Sequence, residues 1–271
     1  MLRLRRSVLA SAAAASILVA ACGGGQSAPE LTDPTEILTA AAGQLAEATS
    51  VHVDLTADGS IDLDLTGSGS GAPLELADTT ASADLDISRG DARLTFALPG
   101  VLGLRGEVIV VDGTAYAKTS LTGPLYQSMP LDEAGAALPS ASPDAESMLA
   151  SLTDFLTQSG LDPVKGADVE CGTTSCYVVT IALTPEGLSS LDGGDAGLAL
   201  PSGLPIPIPD LGDVSLDLVI QVEKPTRNLA GLTASISTGG PAELTAELRF
   251  SKWNESVSIS APPADEVQGG S

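Results

Sequence analysis

The chain has 271 residues, with 12 Lys and Arg against 35 Asp and Glu, a formal net charge of −23, one His and three Cys. That length holds one or two domains with a sizeable core, and the scarcity of cations argues against nucleic acid, whose phosphates are held mainly by Lys and Arg. The lone His52 excludes multi-histidine zinc sites and leaves any Ser-His-Asp triad a single residue to use.

Met1 to Arg6 carry Arg3, Arg5 and Arg6 and no acid, and Val8 to Ala21 is an uninterrupted run of apolar and small residues. That run is too short to cross the ~30 Å core of a bilayer comfortably and reads as an export signal. It ends Leu18-Val19-Ala20-Ala21-Cys22 ahead of Gly23-Gly24-Gly25, which resembles a bacterial lipobox. The resemblance implies a lipoprotein signal peptide over residues 1–21, cleavage before Cys22, diacylglycerol on the Cys22 sulfur and an acyl group such as palmitate on its new amine. Two or more acyl chains anchor stably where one binds only marginally. The alternative is an ordinary secretory signal with a coincidental Cys. Residues 22–30, small and polar, form a flexible tether. An acidic body on that tether is repelled by anionic head groups and hangs from Cys22 rather than lying on the surface.

Asp33-Pro34-Thr35-Glu36 is a helix start, with Asp as N-cap, Pro at the first position and Glu three residues after the cap. Ile37, Leu38, Ala41, Ala42, Leu45 and Ala48 then share one face as far as about Thr49. The period next changes to two. Val51, Val53 and Leu55 alternate with His52, Asp54 and Thr56, Asp58-Gly59 reads as a turn, and Ile61, Leu63 and Leu65 alternate with Asp62, Asp64 and Thr66. Similar runs are Ala83, Leu85, Ile87, then Leu94, Phe96, Leu98, then residues 106–111, with Asp112-Gly113 turning into residues 114–118. Ser142-Pro143 opens a second helix with Met148, Leu149, Leu152, Phe155 and Leu156 as its apolar stripe. A weaker third begins at Thr184-Pro185-Glu186. Residues 201–212 hold alternate Pro residues that lack the N–H a central strand needs, so they form an extended loop. Alternation resumes through Leu216, Leu218 and Ile220, then Leu229 to Ile236, Ala242 to Phe250, and Val257 with Ile259.

With Cys22 spent on lipid, Cys171 and Cys176 are an even pair in an oxidising compartment. They flank a short Gly-containing turn between strand-like runs, so the pair reads as a disulfide staple. The redox-active alternative lacks CxxC spacing and a neighbouring cation. The whole is an α+β fold: about ten antiparallel strands in a curved sheet, with two or three helices packed on one face and no βαβ rhythm. Residues 31–265 form one body and 266–271 a disordered tail.

In its order of features the chain resembles the LppX/LprA/LprF/LprG family of bacterial lipoproteins and, more distantly, the LolA/LolB carriers. The matching pieces are the lipobox through Cys22, the opening helix and the strands from Val51. Further on come the hairpin Val111-Asp-Gly-Thr-Ala-Tyr-Ala-Lys118 leading to Leu121-Thr-Gly-Pro-Leu-Tyr126, the Cys-flanked strand with Tyr177, and Phe250-Ser-Lys-Trp253 running on to Pro263. The chain departs in its Gly/Pro-rich segment 187–212 and in Leu125-Tyr126, where many relatives carry a Trp. The resemblance implies a half-open barrel with helices on its concave face, closed around an apolar cavity that takes acyl chains of a lipid or lipoglycan. Composition alone favours dense packing of the aliphatics, and the resemblance favours the cavity. Its lining would be Ile61, Leu63, Leu85, Ile87, Leu94, Phe96, Leu216, Leu218 and Ile220. Met148, Leu149, Leu152 and Phe155 would roof it, and Leu204 to Ile208 would form a flap at its mouth.

The expected protein is a monomer, lipid-anchored on the extracytoplasmic face of a cell membrane, on its periplasmic or cell-wall side. It carries or presents lipid, with a protein partner in an envelope transport system admitted. Two other readings stay open: an envelope sensor regulating a membrane partner, as in the similar RseB-type fold, and a purely structural acidic lipoprotein. No cofactor, metal or catalytic residue is expected. No GxSxG or phosphate-loop context is present, the Asp runs lack the ordered ligands of a calcium loop, and His52 alternates outward on its strand.

Overall fold

The computed structural model describes residues 29–63, 72–131, 162–184, 214–238 and 243–268. The lipobox, the helix expected over 142–160, the body of the third helix and the Pro-rich loop 201–212 lie outside the described residues. The helix α1 (Pro34–Ala46) begins as its sequence dictates: the Asp33 carboxylate accepts from the Thr35 N–H at 2.8 Å and the Glu36 N–H at 3.3 Å, with Pro34 just inside. Ile37, Leu38, Ala41, Ala42 and Leu45 are its buried stripe. It is the one α-helix among the described residues.

The strands are β1 (Ser50–Leu63), β2 (Ala72–Glu75), β3 (Thr79–Asp86), β4 (Asp91–Leu98), β5 (Leu104–Val111), β6 (Thr114–Thr119) and β7 (Gln127–Pro130). They continue with β8 (Val164–Lys165), β9 (Val169–Cys171), β10 (Thr174–Leu183), β11 (Val214–Glu223), β12 (Leu229–Thr238) and β13 (Glu243–Ser251). They make one antiparallel sheet in the order β7-β6-β5-β4-β3-β1-β13-β12-β11-β10-β8, with β2 also paired to β1 and β9 to β10. The count is 13 rather than about ten. The strands without an expectation behind them are β2, β7 and β8, which at two to four residues are too short for an alternating pattern to reveal, whereas β9 is the strand-like run ahead of the Cys pair, and Val257 with Ile259, expected as a last strand, lie outside the sheet.

A second correction concerns Asp58-Gly59, which is no turn. The strand β1 runs straight through it, paired with β3 as far as Ala57, with β13 as far as Gly59 and with β2 from Ser60. Gly59 has φ +121, and a Cβ there would stand 2.0 Å from the Glu243 carbonyl oxygen, so only glycine lets two backbones approach this closely at the handover. Asp112-Gly113 does turn, at φ +50 and +72, the pair of left-handed conformations that a two-residue hairpin requires.

The main core joins α1 to Tyr177, Val179, Ile181, Leu218, Ile220, Val222 and Leu229, with Phe250 and Trp253 packed alongside. The Trp253 indole donates to the Leu229 carbonyl at 2.9 Å, satisfying its one polar atom. A second, smaller core holds Ile109, Val111, Tyr126 and Ile259. By register Ile109 and Val111 face the side opposite α1, so the closing segment covers part of the polar face. This corrects the tail expected from residue 266. The Tyr126 N–H donates to the Glu266 carbonyl at 2.8 Å and the Gln268 N–H to the Tyr126 carbonyl at 2.7 Å, which fixes the chain through Gln268. Cys171 and Cys176 form a disulfide across the β9–β10 hairpin, whose turn is Gly172-Thr173.

Candidate functional site

In an antiparallel pair, residues directly opposite one another point to the same face, so register alone extends a surface from strand to strand. Gly106 opposes Phe96, Phe96 opposes Ala81, Ala81 opposes Leu55 and Leu55 opposes Leu248. Leu248 in turn opposes Leu232, then Ile220, then Val179. One rung therefore crosses eight strands, from β5 to β10, without a polar side chain. A parallel rung reads Ala117, Val108, Leu94, Ala83, Val53, Phe250.

Along this surface the cover changes. Ile220 and Val179 are fully buried in the core that α1 completes. Leu55, Ala81, Ala83, Leu94, Phe96 and Val108 are half-buried. The side chains change as well: Leu, Ile, Val and Tyr line the strands beneath α1, while Ala81, Ala83, Ala92, Ala115 and Ala117 stand at the inward positions of β3 to β6, and the Phe96 ring lies over Gly106. Small residues at in-register positions beside Leu85, Leu94, Phe96 and Val110 give this part of the surface less side-chain volume than the strands beneath α1 carry.

The structure distributes the anticipated cavity residues over both regions. Leu85, Leu94 and Phe96 lie on the half-buried surface, and Ile87 stands just past the end of β3, half-buried, with its N–H on the Thr49 carbonyl at 2.9 Å. Ile61 and Leu63 lie where β1 pairs with β2. Leu218 and Ile220 belong to the buried core, with Leu216 packed against it. Cys22, Met148, Leu149, Leu152, Phe155 and Leu204 to Ile208 lie outside the described residues. The inward alanines were not singled out from the sequence, because a reading that looks for large aliphatics passes over them. Their signal is alanine at successive inward positions of neighbouring strands.

The opposite face is polar. His52 points there from β1, with Nδ1 2.6 Å from Asp84 Oδ1 and Nε2 3.3 Å from Asp54 Oδ2, so it is held between carboxylates rather than freely solvated. Ser82 Oγ stands 3.5 Å from Nε2, a long contact that shares the nitrogen with Asp54. Beside it a hollow of about 630 Å³ opens among Thr56, Thr80, Thr95, Arg105 and the ion pair of Arg249 with Glu247.

The segment leading into α1 is tied to one end of the sheet. The Leu31 N–H donates to the buried Tyr177 hydroxyl at 2.9 Å, and the Arg227 guanidinium donates to the Pro29 carbonyl at 2.5 Å. Lys224 bridges Glu30 at 3.1 Å and Asp168 at 2.5 Å. Hydrogen bonds from Lys224 and then Lys165 hold the Asp168 carboxyl below its ordinary range. The ring of Tyr177 lies beneath Lys165, Lys224 and Arg227, at 5.6, 5.0 and 5.1 Å from its centre.

No family model and no curated protein matches the sequence. Among solved structures, LprF from Mycobacterium bovis superposes over 84% of this chain and 96% of its own, at 17% identity and a TM-score of 0.51. LppX from Mycobacterium tuberculosis, described as a lipoprotein, covers 84% of this chain and 100% of its own, at 15% identity and a TM-score of 0.47. MucB in complex with MucA covers 88% of this chain and 60% of its own, at 13% identity and a TM-score of 0.33. The last two are too distant in geometry to carry argument. The LprF superposition takes in nearly the whole of that structure, and on it this chain has the LprF fold.

Proposed function

We propose that the protein is a cell-envelope lipoprotein that binds the acyl chains of a lipid or lipoglycan on the half-buried part of its apolar face and carries or presents them. The observation that carries this reading is the eight-strand apolar rung, closed by α1 at one end and set among alanines at half-buried inward positions at the other. Each methylene laid on such a surface leaves water with a gain of about 0.8 kcal/mol, so a single acyl chain supplies ample affinity. Leu85, Leu94 and Phe96 would contact the chain, and Cys22 would hold the body to the membrane through its own acyl groups. The fold shared with LprF and the lipobox point the same way. A monomer suffices, because that surface lies within one sheet.

The test is native mass spectrometry and organic extraction of the chain from Gly23 onward, expressed in a lipid-rich host. One lipid per protein is expected, released on denaturation. A clean apo mass that persists after incubation with mixed lipids would overturn the carrier reading in favour of a sensor or a structural role.

A further inference from the structure

The β4–β5 turn, residues 99–103, places Leu102 at φ +52 and Gly103 at φ +67, nearly the conformations of Asp112 and Gly113 in the next turn of the same sheet. The first of these positions belongs by preference to Asn, Asp or Gly, because a left-handed backbone crowds a larger side chain. Here it holds a leucine that is 90% exposed. Leu102 thus bears a backbone penalty with no burial within its own chain to offset it, a combination that belongs to function more than to folding.

A neighbouring loop also exposes leucines, without the left-handed backbone at those residues. Gly106 pairs with Thr119, and the Ser120 N–H donates to the Arg105 carbonyl at 2.8 Å, which sets the β6–β7 loop beside the turn. That loop carries Leu121, 66% exposed, and Leu125, 39% exposed. The turn is held in place, since Gly100 lies so close to β2 that a Cβ would stand 1.7 Å from the Glu75 carbonyl oxygen. Residues 99–103 and 120–126 include no acid, in a chain that has 35. The carboxylates beside them are Glu75, which ends β2, Glu107, which accepts from the Tyr126 hydroxyl at 2.6 Å, and Glu266, whose carbonyl accepts from the Tyr126 N–H at the foot of the second loop. Arg105, at the foot of the turn, is exposed and has no carboxylate partner among the described residues.

We propose that these two loops are a docking site for a phospholipid surface, with Leu102 and Leu121 entering the acyl boundary and Arg105 meeting lipid phosphates. Register gives the direction. Pro29, Glu30 and Leu31 are tied at the β11–β12 turn and Tyr177, at the end of the sheet where β1 starts. The docking loops lie at the end toward which β1 runs. Strands of eight residues separate the two ends by about 25 Å. The seven peptide steps from Cys22 to Pro29 reach no more than about 25 Å. Only a fully drawn-out tether spans that separation, so an anchor at Cys22, which rests on the proposed function, holds the loop tips at the far end from its attachment, where a second lipid surface meets them.

The experiment uses the protein as its host processes the full chain, retained through its N-terminal anchor on immobilised phosphatidylcholine vesicles. Labelled protein-free vesicles of phosphatidylcholine and phosphatidylglycerol are then offered, and bound lipid is extracted from the same samples. The wild-type chain should capture the labelled vesicles. The double variant L102D/L121D should capture at least tenfold fewer with its extractable lipid unchanged, and R105A should lose a few fold and most of the salt dependence. Both leucines are solvent-facing, so the fold tolerates these changes. Equal capture by L102D/L121D, or lipid-loaded wild-type protein that captures nothing, overturns the docking site. Capture without extractable lipid upholds it and overturns the carrier reading instead.

Discussion

The two halves of the sheet share strand length, alternation and an apolar face, yet one is a closed core and the other stays half-buried. Beneath α1 the inward positions are Tyr177, Val179, Ile181, Leu218, Ile220 and Val222, and Ile37, Leu38 and Leu45 descend onto them until almost no surface is left to water. Across β3 to β6 the same positions alternate large side chains with Ala81, Ala83, Ala92, Ala115, Ala117 and Gly106, and they stay half-buried. Alternation determines which way side chains point. Their volume determines whether the space above them closes. A carrier needs both kinds of surface, one to hold the fold and one to yield its contacts to a ligand.

The sharpest break of this comparison is one charge placed in each half. Leu218→Asp puts a carboxylate into the sealed core with no partner and should cost more than about 4 kcal/mol, seen as loss of cooperative unfolding in a urea titration. Leu94→Asp, in the half-buried region, should leave that transition within about 1–2 kcal/mol of wild type while the extractable lipid disappears. If the two variants unfold alike, the half-buried region is ordinary core and holds no ligand.

Reduction of the Cys171–Cys176 bridge comes next in size. It closes a six-residue loop at the start of β10, next to Tyr177, and the chain-entropy account assigns it about 2 kcal/mol. The Cys171→Ser/Cys176→Ser pair should lower the unfolding free energy read from a urea titration by that amount with lipid content unchanged, because the staple belongs to the closed half. Smaller still is the effect of enlarging the inward alanines. Ala83→Leu with Ala117→Leu adds volume to the rung that includes Leu94, and should reduce lipid occupancy about fivefold, equivalent to roughly 1 kcal/mol, while stability holds or rises.

Much of this was legible in the chain. Asp33-Pro34 announced α1, period-two runs announced the long strands, Asp112-Gly113 announced its hairpin, and Cys171 with Cys176 announced the staple. The failures are local and physical. Asp58-Gly59 has the composition of a turn, but the glycine serves a close backbone approach to Glu243, a tertiary demand that no local pattern carries. The docking of residues 257–268 over Ile109 and Val111 depends on a contact some 150 residues apart in sequence, so those positions looked like ordinary strand residues. His52 was correctly placed on the outward face, but its two carboxylate neighbours come from register: Asp84 stands directly opposite on β3, and Asp54 lies two residues along the same strand. The candidate site was half visible. Leu85, Leu94 and Phe96 stood out as large residues, whereas the alanines beside them gained meaning only when register aligned them.

The smallest effect we argue tests the half-buried half of the sheet, against which no helix packs among the described residues. Asp86 ends β3 with its side chain nearly buried. It accepts from the Ser88 hydroxyl at 2.7 Å and the Arg89 N–H at 3.2 Å, and pairs with the Arg89 guanidinium at 2.8 Å. The Ser88 hydrogen bond, more than the charge of Arg89, lowers its carboxyl below the ordinary value of 3.8. A carboxyl lowered in the folded state stabilises fully above its unfolded value and loses that contribution as pH falls through the folded one. Asp86→Asn should therefore cost about 1 kcal/mol at pH 7, with the gap to wild type constant down to about pH 4 and closing below it. The arginine is half exposed, so salt should screen only the minor, charged part of the gap. Urea titrations of both proteins from pH 7 to pH 3 decide the matter: a gap that stays constant to the acid end would mean that Asp86 holds the β3–β4 turn by its shape and not by its charge.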